Sequence, residues 1–185
     1  PSLSAVKIDP NLPPGAAQSA KVLICHPSKH KSPHWNNASN LRGFVWIDLP
    51  NKHGVLFIGV MGVGKIWYGL PEWKDPETGK TYRDPHSGSK GYHAEDYAPV
   101  IWVYDPMELL KVWRGEMKPW EPKPHKIINL AKEKIIKYFP LKERGVGHNL
   151  NYTMSFRNKR LIIGQSGGYP LGRYESAPLF YQFEF

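Results

Sequence analysis

Val55-Leu56-Phe57-Ile58-Gly59-Val60-Met61-Gly62-Val63-Gly64-Lys65 decides how this chain is read. Val55 to Ile58 are β-branched, aliphatic or aromatic residues in the short apolar run of a buried strand. From Gly59 to Lys65 the same stretch spells GxxxxGK, the spacing of a phosphate loop. Position 66 is Ile, so the hydroxyl that would hold Mg²⁺ is missing. Trp67-Tyr68-Gly69-Leu70-Pro71 does not favour the helix whose N-terminus binds phosphate. A second stretch, Arg160-Leu161-Ile162-Ile163-Gly164-Gln165-Ser166-Gly167, has the same apolar run and glycines without the lysine. The glycines are therefore read as turn punctuation, and nucleotide binding is set aside.

The likeness extends beyond these runs. The first is followed, after an intervening segment, by Ala98-Pro99-Val100-Ile101-Trp102-Val103-Tyr104. The second is followed by Ala177-Pro178-Leu179-Phe180-Tyr181-Gln182-Phe183. Ahead of the second copy lie a strand, Asn151 to Phe156, and a turn, Arg157-Asn158-Lys159. Such a repeat predicts antiparallel meanders, and one meander cannot bury both of its faces alone. Propeller blades solve that problem with four strands and about 40–50 residues each. The expected fold is mainly β: four-stranded antiparallel meander repeats forming a partial β-propeller within a single domain, residues 1–185. The copies are placed at about 41–104 and 126–185. A β-sandwich with coincidental internal likeness is the alternative. Two or three repeats do not close a ring of about 4–8 blades. Further blades are expected from an N-terminal segment or another chain. The opening Pro-Ser-Leu-Ser, without an initiator Met, is what a processed product of something longer would show.

Working outward, Val22 to Cys25, Gly43 to Ile47, Lys65 to Gly69 and Lys126 to Leu130 read as further strands, and residues 1–40 are otherwise weakly patterned. One short helix is expected near 106–114. Asp105 can cap it, Pro106 takes its first position, Glu108 completes a capping box and Gly115 ends it. Leu109, Leu110 and Trp113 would form its apolar face. Pro27 to Asn40 reads as a loop, and residues 70–97 as a long polar insertion loop, a length that usually signals function or disorder.

The composition agrees with short strands and many turns: 185 residues carry 18 Pro, 17 Gly, 7 Trp and 10 Tyr. The net charge is +9, which suits an acidic partner, an anionic surface or nucleic acid. No run of five or more basic residues supports nucleic acid. No apolar run approaches the roughly 20 residues of a membrane span, and no signal peptide is read in these residues, one already removed being consistent with the missing Met. A single cysteine, Cys25, excludes an intrachain disulfide.

Residue types with chemistry cluster in two places. Cys25, His26, His30 and His34 suggest a metal site, since zinc needs three or four converging ligands. Pro27 and Pro33 break the helix that would align them, so a solvated His-rich loop is preferred and no metal is assigned. The 70–97 insertion contains Asp75, Glu77, Asp84, His86, His93, Glu95 and Asp96, and its carboxylates and loop carbonyls could hold Ca²⁺; Lys74, Lys80, Arg83 and Lys90 offset the charge, so a solvated loop is preferred. Trp67, Trp73, Trp113 and Trp120 are candidates for sugar stacking, with core packing the commoner role of such Trp. His148 and Asn149 precede a strand and could face a central pocket.

The ordered series Gly54-Val55-Leu56-Phe57-Ile58-Gly59, Trp67-Tyr68-Gly69, Asp84-Pro85, Gly88-Ser89-Lys90-Gly91, His93-Ala94, Tyr97 and Trp102-Val103-Tyr104-Asp105 resembles a group of secreted bacterial β-propeller-like proteins of uncharacterised function. The likeness continues through Lys118-Pro119-Trp120-Glu121, Arg160 to Ile163 and Ala177 to Phe180. It runs from about residue 40 to the C-terminus and corresponds to that group's C-terminal half. Members often carry paired cysteines near the insertion, and this chain has none there. The resemblance implies a propeller fold and an extracellular or periplasmic location; it carries over no catalytic residue. It places Tyr92 and His93 within the matching series; Trp67, Tyr68, Asp96, His148 and Asn149 join them as ligand-binding candidates. The expected function is a non-catalytic binding or structural module for a small ligand, glycan or partner, with no cofactor. The alternatives are a hydrolase, lyase or lactonase-type propeller enzyme with a central-channel site, and a basic module for nucleic acid or an anionic polymer.

Overall fold

The computed structural model describes residues 2–7, 9–16, 19–25, 34–86, 88–136, 152–171 and 176–185. In chain order its elements are β1 (Ser2–Lys7), β2 (Ser19–Cys25), β3 (Asn40–Leu49), β4 (Lys52–Gly69), β5 (Glu72–Lys74), β6 (Thr81–Arg83) and β7 (Gly91–Tyr104). There follow α1 (Pro106–Arg114), β8 (Lys126–Asn129), β9 (Tyr152–Arg157), β10 (Arg160–Pro170) and β11 (Ser176–Glu184). The protein is mainly β. All pairings are antiparallel, in sheets β1-β2, β3-β4-β7-β8, β5-β6 and β11-β10-β9, and none closes into a barrel among the described residues.

The β3-β4-β7-β8 sheet lies in the middle, covered on both faces. On one face Val55, Phe57, Val100 and Trp102 pack with Leu23 and Ile24 of β2 and with Leu109 and Val112 of α1. On the other, Val45, Ile47, Leu56, Ile58 and Ile101 pack with Tyr152, Met154, Leu161 and Ile163 of the β9-β10-β11 sheet. Successive strand side chains point to opposite faces, so a strand buried on both sides reads as an unbroken apolar run, as Val55 to Val60 does. β9 alternates instead: Tyr152 and Met154 are buried, Thr153 and Ser155 exposed. Its outer face meets water.

β4 continues through Gly59–Lys65 without a turn, which corrects the reading of these glycines as punctuation. Leu41 pairs with Gly59 and Gly43 with Ile58, so β3 bulges at Arg42. A Cβ on Gly59 would lie 2.0 Å from the Asn40 carbonyl oxygen. Gly59 is thus required by close backbone approach. Further on, Val63 pairs with Asp96 and Ile66 with Ala94, leaving Gly64 and Lys65 opposite Glu95. Gly64 has φ +75, the glycine-led bulge that kinks a strand and strengthens its twist. No helix follows it, so nothing presents amide groups to a phosphate.

The 70–97 segment is not one long loop. β5 and β6 form a hairpin, and β7 begins at Gly91, so β4 and β7 run past the sheet as a two-stranded ribbon. The short, half-exposed strands carry a polar composition because only Trp73 and Tyr82 turn inward. Residues 2–25 likewise hold the β1-β2 hairpin, where β2 begins at Ser19 rather than at Val22.

The helix is where the sequence puts it. Asp105 accepts the Met107 N–H, Pro106 opens the helix, and Gly115 at φ 84 closes it with Glu116 N–H on the Lys111 carbonyl. Glu108 does not complete a capping box with Asp105; its Oε2 accepts from Lys123 N at 3.4 Å. Leu109 and Val112 take the buried positions, with Leu110 and Trp113 at their flanks.

β10 lies between β9 and β11 as β4 lies between β3 and β7. Gly59 faces Val100 while Gly164 faces Phe180, so the Ala-Pro strands are offset by one residue in their pairing to the glycine strands. β3 and β9 come close at one edge, where a Cβ on Gly43 would sit 3.3 Å from Met154 N.

Gly59→Ala should destabilise the fold by at least ~2 kcal/mol, as overpacking against immovable backbone does. Gly64→Ala should cost less, about 1 kcal/mol, because the near atoms belong to the movable Glu95 side chain and the remaining penalty is its φ. Urea midpoints of the two variants check the order.

Candidate functional site

The ribbon gathers most of the chemistry-bearing residues. Trp67 pairs across the strands with His93, and Tyr68 with Tyr92. The Trp67 ring stacks on His93 at 5.5 Å and 28°, and on Trp73 at 6.3 Å and 16°, with Tyr82 also 6.3 Å away. Its Nε1 donates to the Leu70 carbonyl at 2.8 Å. Two lysines cap the stack: Lys65 Nζ lies 5.1 Å from the Trp73 ring centre and Lys80 Nζ 4.4 Å from that of Tyr82. Each pairs with a carboxylate, Lys65 with Asp75 at 3.0 Å and Lys80 with Glu95 at 3.2 Å. The Glu77 amide and Lys65 hold the buried Asp75 carboxyl below its usual value, and the Lys65 amide and Lys80 do the same for Glu95.

Beneath the stack lies a buried polar trio. Asp84 Oδ2 takes both His93 Nδ1 at 2.8 Å and the Tyr97 hydroxyl at 2.7 Å, while Asp84 Oδ1 accepts the His86 amide at 2.7 Å. His93 Nε2 faces the Gly69 carbonyl at 3.1 Å. A carbonyl only accepts, so Nε2 is the donor in that contact. Burial and the neighbouring Asp84 push the Tyr97 hydroxyl pKa well up. Burial pulls the His86 ring pKa down, against the pull of Asp84 and Asp96. The trio has the residue types of an acid–base dyad, yet both His93 nitrogens are engaged and its side chain is 0% exposed. It joins β4, β6 and β7, and holds the hairpin to the ribbon.

The expected binding residues therefore separate. Trp67 and His93 are interior, whereas Tyr68 and Tyr92 form an exposed pair with ring centres 5.0 Å apart. Asp96 is exposed and accepts the Tyr97 amide at 2.8 Å. His148 and Asn149 lie outside the described residues, as do His26 and His30. Cys25 is half-buried on β2, and the His34 carbonyl accepts from Trp102 Nε1 at 2.8 Å. Among the described residues no group of three His, Cys, Asp or Glu side chains is placed to hold a metal ion. Of the carboxylates weighed for Ca²⁺, Asp75, Glu95 and Asp84 instead face Lys65, Lys80 and His93.

A different concavity lies between the two larger sheets. The middle sheet and the β9-β10-β11 sheet meet along β3 and β9 and enclose an apolar cleft of about 520 Å³. Ile47, Leu56, Val103 and Ile128 line one wall, Leu161 and Phe183 the other. At its margin are Lys52, His53 and Lys126, and among the described residues no carboxylate lines it. Lys52 Nζ lies 5.0 Å over the Phe185 ring. Lys126 pairs directly with Val103, and directly paired residues share a sheet face. A second groove, about 690 Å³, runs between α1 and β3 and carries Trp46, Met107 and Trp113 with two acids, Asp48 and Asp105. Sequence reasoning missed both, because its signals are local and a cleft depends on how sheets sit together. No family model, curated protein or solved structure matches the chain. Among the described residues no helix is long and apolar enough to cross a membrane.

Two predictions follow from the ribbon. Asp84→Ala leaves His93 buried without its carboxylate and should cost about 3–5 kcal/mol, the range for removing one partner of a buried pair; thermal unfolding checks it. Asp75 and Glu95 have folded pKa values below their ordinary 3.8 and 4.5. Their stabilisation is complete above those values and is lost as pH falls through the lower folded ones. The Trp fluorescence of the stack should hold steady down to pH 4.5 and change below 3.8, before the core unfolds.

Proposed function

We propose that the chain is a non-catalytic binding module that takes a small apolar ligand in the cleft between its two larger sheets. The cleft itself carries this reading. Its volume of about 520 Å³ falls within the range of roughly 300–1,000 Å³ typical of small-molecule sites, with apolar walls and few polar groups. Apolar surface left open to water is unfavourable in proportion to its area, so an occupant of matching character gains that burial. Among the described residues lining the cleft there is no nucleophile and no pair of carboxylates, which weighs against the hydrolase, lyase and lactonase alternatives.

The stacked meanders fit a segment of a β-propeller. Among the described residues a four-stranded and a three-stranded meander touch at β3 and β9 and leave a cleft between them, as blades do when they diverge from an axis. Binding would then take place in an extracellular or periplasmic setting, the location that the resemblance implies, with further blades completing the ring.

Titration with Nile red, a neutral apolar fluorophore, tests the site. Saturable binding with one site per chain is expected. Ile128→Trp, which fills the cleft from the short strand β8, should weaken it at least tenfold, about 1.4 kcal/mol. Absent saturation, or binding indifferent to this substitution in a folded variant, would contradict the cleft assignment.

A further inference from the structure

Two concavities flank the β3–β4 turn, and they differ in charge. Among the described residues the groove beside α1 carries Asp48 and Asp105, whereas the cleft between the sheets carries Lys52 and Lys126 without a carboxylate. His53 borders both and is turned to Asp48, with Nδ1 at 2.7 Å from Oδ1. Both lysines belong to the middle sheet. Lys52 opens β4 and leans over Phe185, the last residue beyond β11. Lys126 opens β8, with its stem on the same face as Val103 and Leu56.

From this asymmetry we infer that the cleft selects a free amphiphile with one anionic head, a straight-chain carboxylate. The inference rests on the cleft being the ligand site. The chain would lie along Leu56, Val103, Ile128 and Leu161, and the head would remain at the margin between Lys52 and Lys126. Long lysine stems can cover apolar surface while the ammonium stays in water, so the head need not lose its hydration to be recognised. A carboxylate kept there avoids the desolvation that a buried ion pair suffers. The acidic groove repels the same head, which confines the ligand to one of the two concavities.

Calorimetry on the intact chain with dodecanoate, dodecanol and dodecyltrimethylammonium, each below its micellar concentration, tests the inference. Dodecanoate should bind roughly tenfold more tightly than dodecanol, with the cation weakest, and added salt should narrow that preference. In a Lys52→Gln, Lys126→Gln double variant the carboxylate preference should vanish, so that dodecanoate and dodecanol bind alike. Equal binding of dodecanoate and dodecanol, or a preference that survives the double substitution, overturns the head-group assignment and leaves the cleft assignment standing. Failure of dodecanoate, dodecanol and Nile red alike overturns both. Preference for the cation would move the site to the groove carrying Asp48 and Asp105.

Discussion

Burial of β4 on both faces is the constraint on which the rest of this structure depends. Val55 and Phe57 point toward β2 and α1, Leu56 and Ile58 toward β9 and β10. One strand therefore contributes to both apolar clusters. A face of β4 left open would expose a continuous stripe of large aliphatic side chains to water, at roughly 25 cal/mol for each Å². The β1-β2 hairpin with α1 covers one side and the three-stranded sheet the other. These covers differ in kind, and the difference shapes the surface. On the β2 side a helix seats Leu109 and Val112 against the sheet. On the β9 side two sheets touch along one edge, and the cleft lies between them.

Glycines make this arrangement possible where backbones must meet. Gly59 allows β3 to bulge over β4, and Gly43 allows β9 to approach β3. Further along, Gly64 lets β4 kink and continue as the ribbon, so that one long strand serves two surroundings. Its first half is core. Its second half supports the aromatic stack and the Asp84–His93–Tyr97 trio, whose buried hydrogen bonds tie β6 and the Gly69 carbonyl to β7. The ribbon is thus a built structural unit held by the hydrogen bonds of Asp84, His93 and Tyr97, and its exposed face offers Tyr68 and Tyr92.

What was legible in the sequence follows from the range of each signal. The strand run Val55 to Ile58 and the helix with Asp105, Pro106 and Gly115 were readable because their determinants are adjacent residues. The hairpin at Glu72–Arg83 was hidden by its polar composition, since short half-exposed strands show little alternation. Gly59 gave the right residue and the wrong cause: a glycine required by a neighbouring strand looks like one required by a turn. His93 was singled out by type, yet its role is set by Asp84, nine residues away, and by Gly69, 24 residues away, and spacing alone announces neither contact. The cleft depends on residues from six strands and had no sequence signature at all.

Residue-resolved native-state hydrogen exchange tests the central role of β4 most directly. The amides of Val55 to Val60 should exchange last, only through global unfolding, with those of β9 and β10 next and the β5–β6 hairpin well before them. Exchange of Val55 to Val60 ahead of β9 and β10 would show that the two clusters do not meet on this strand, and would contradict the account.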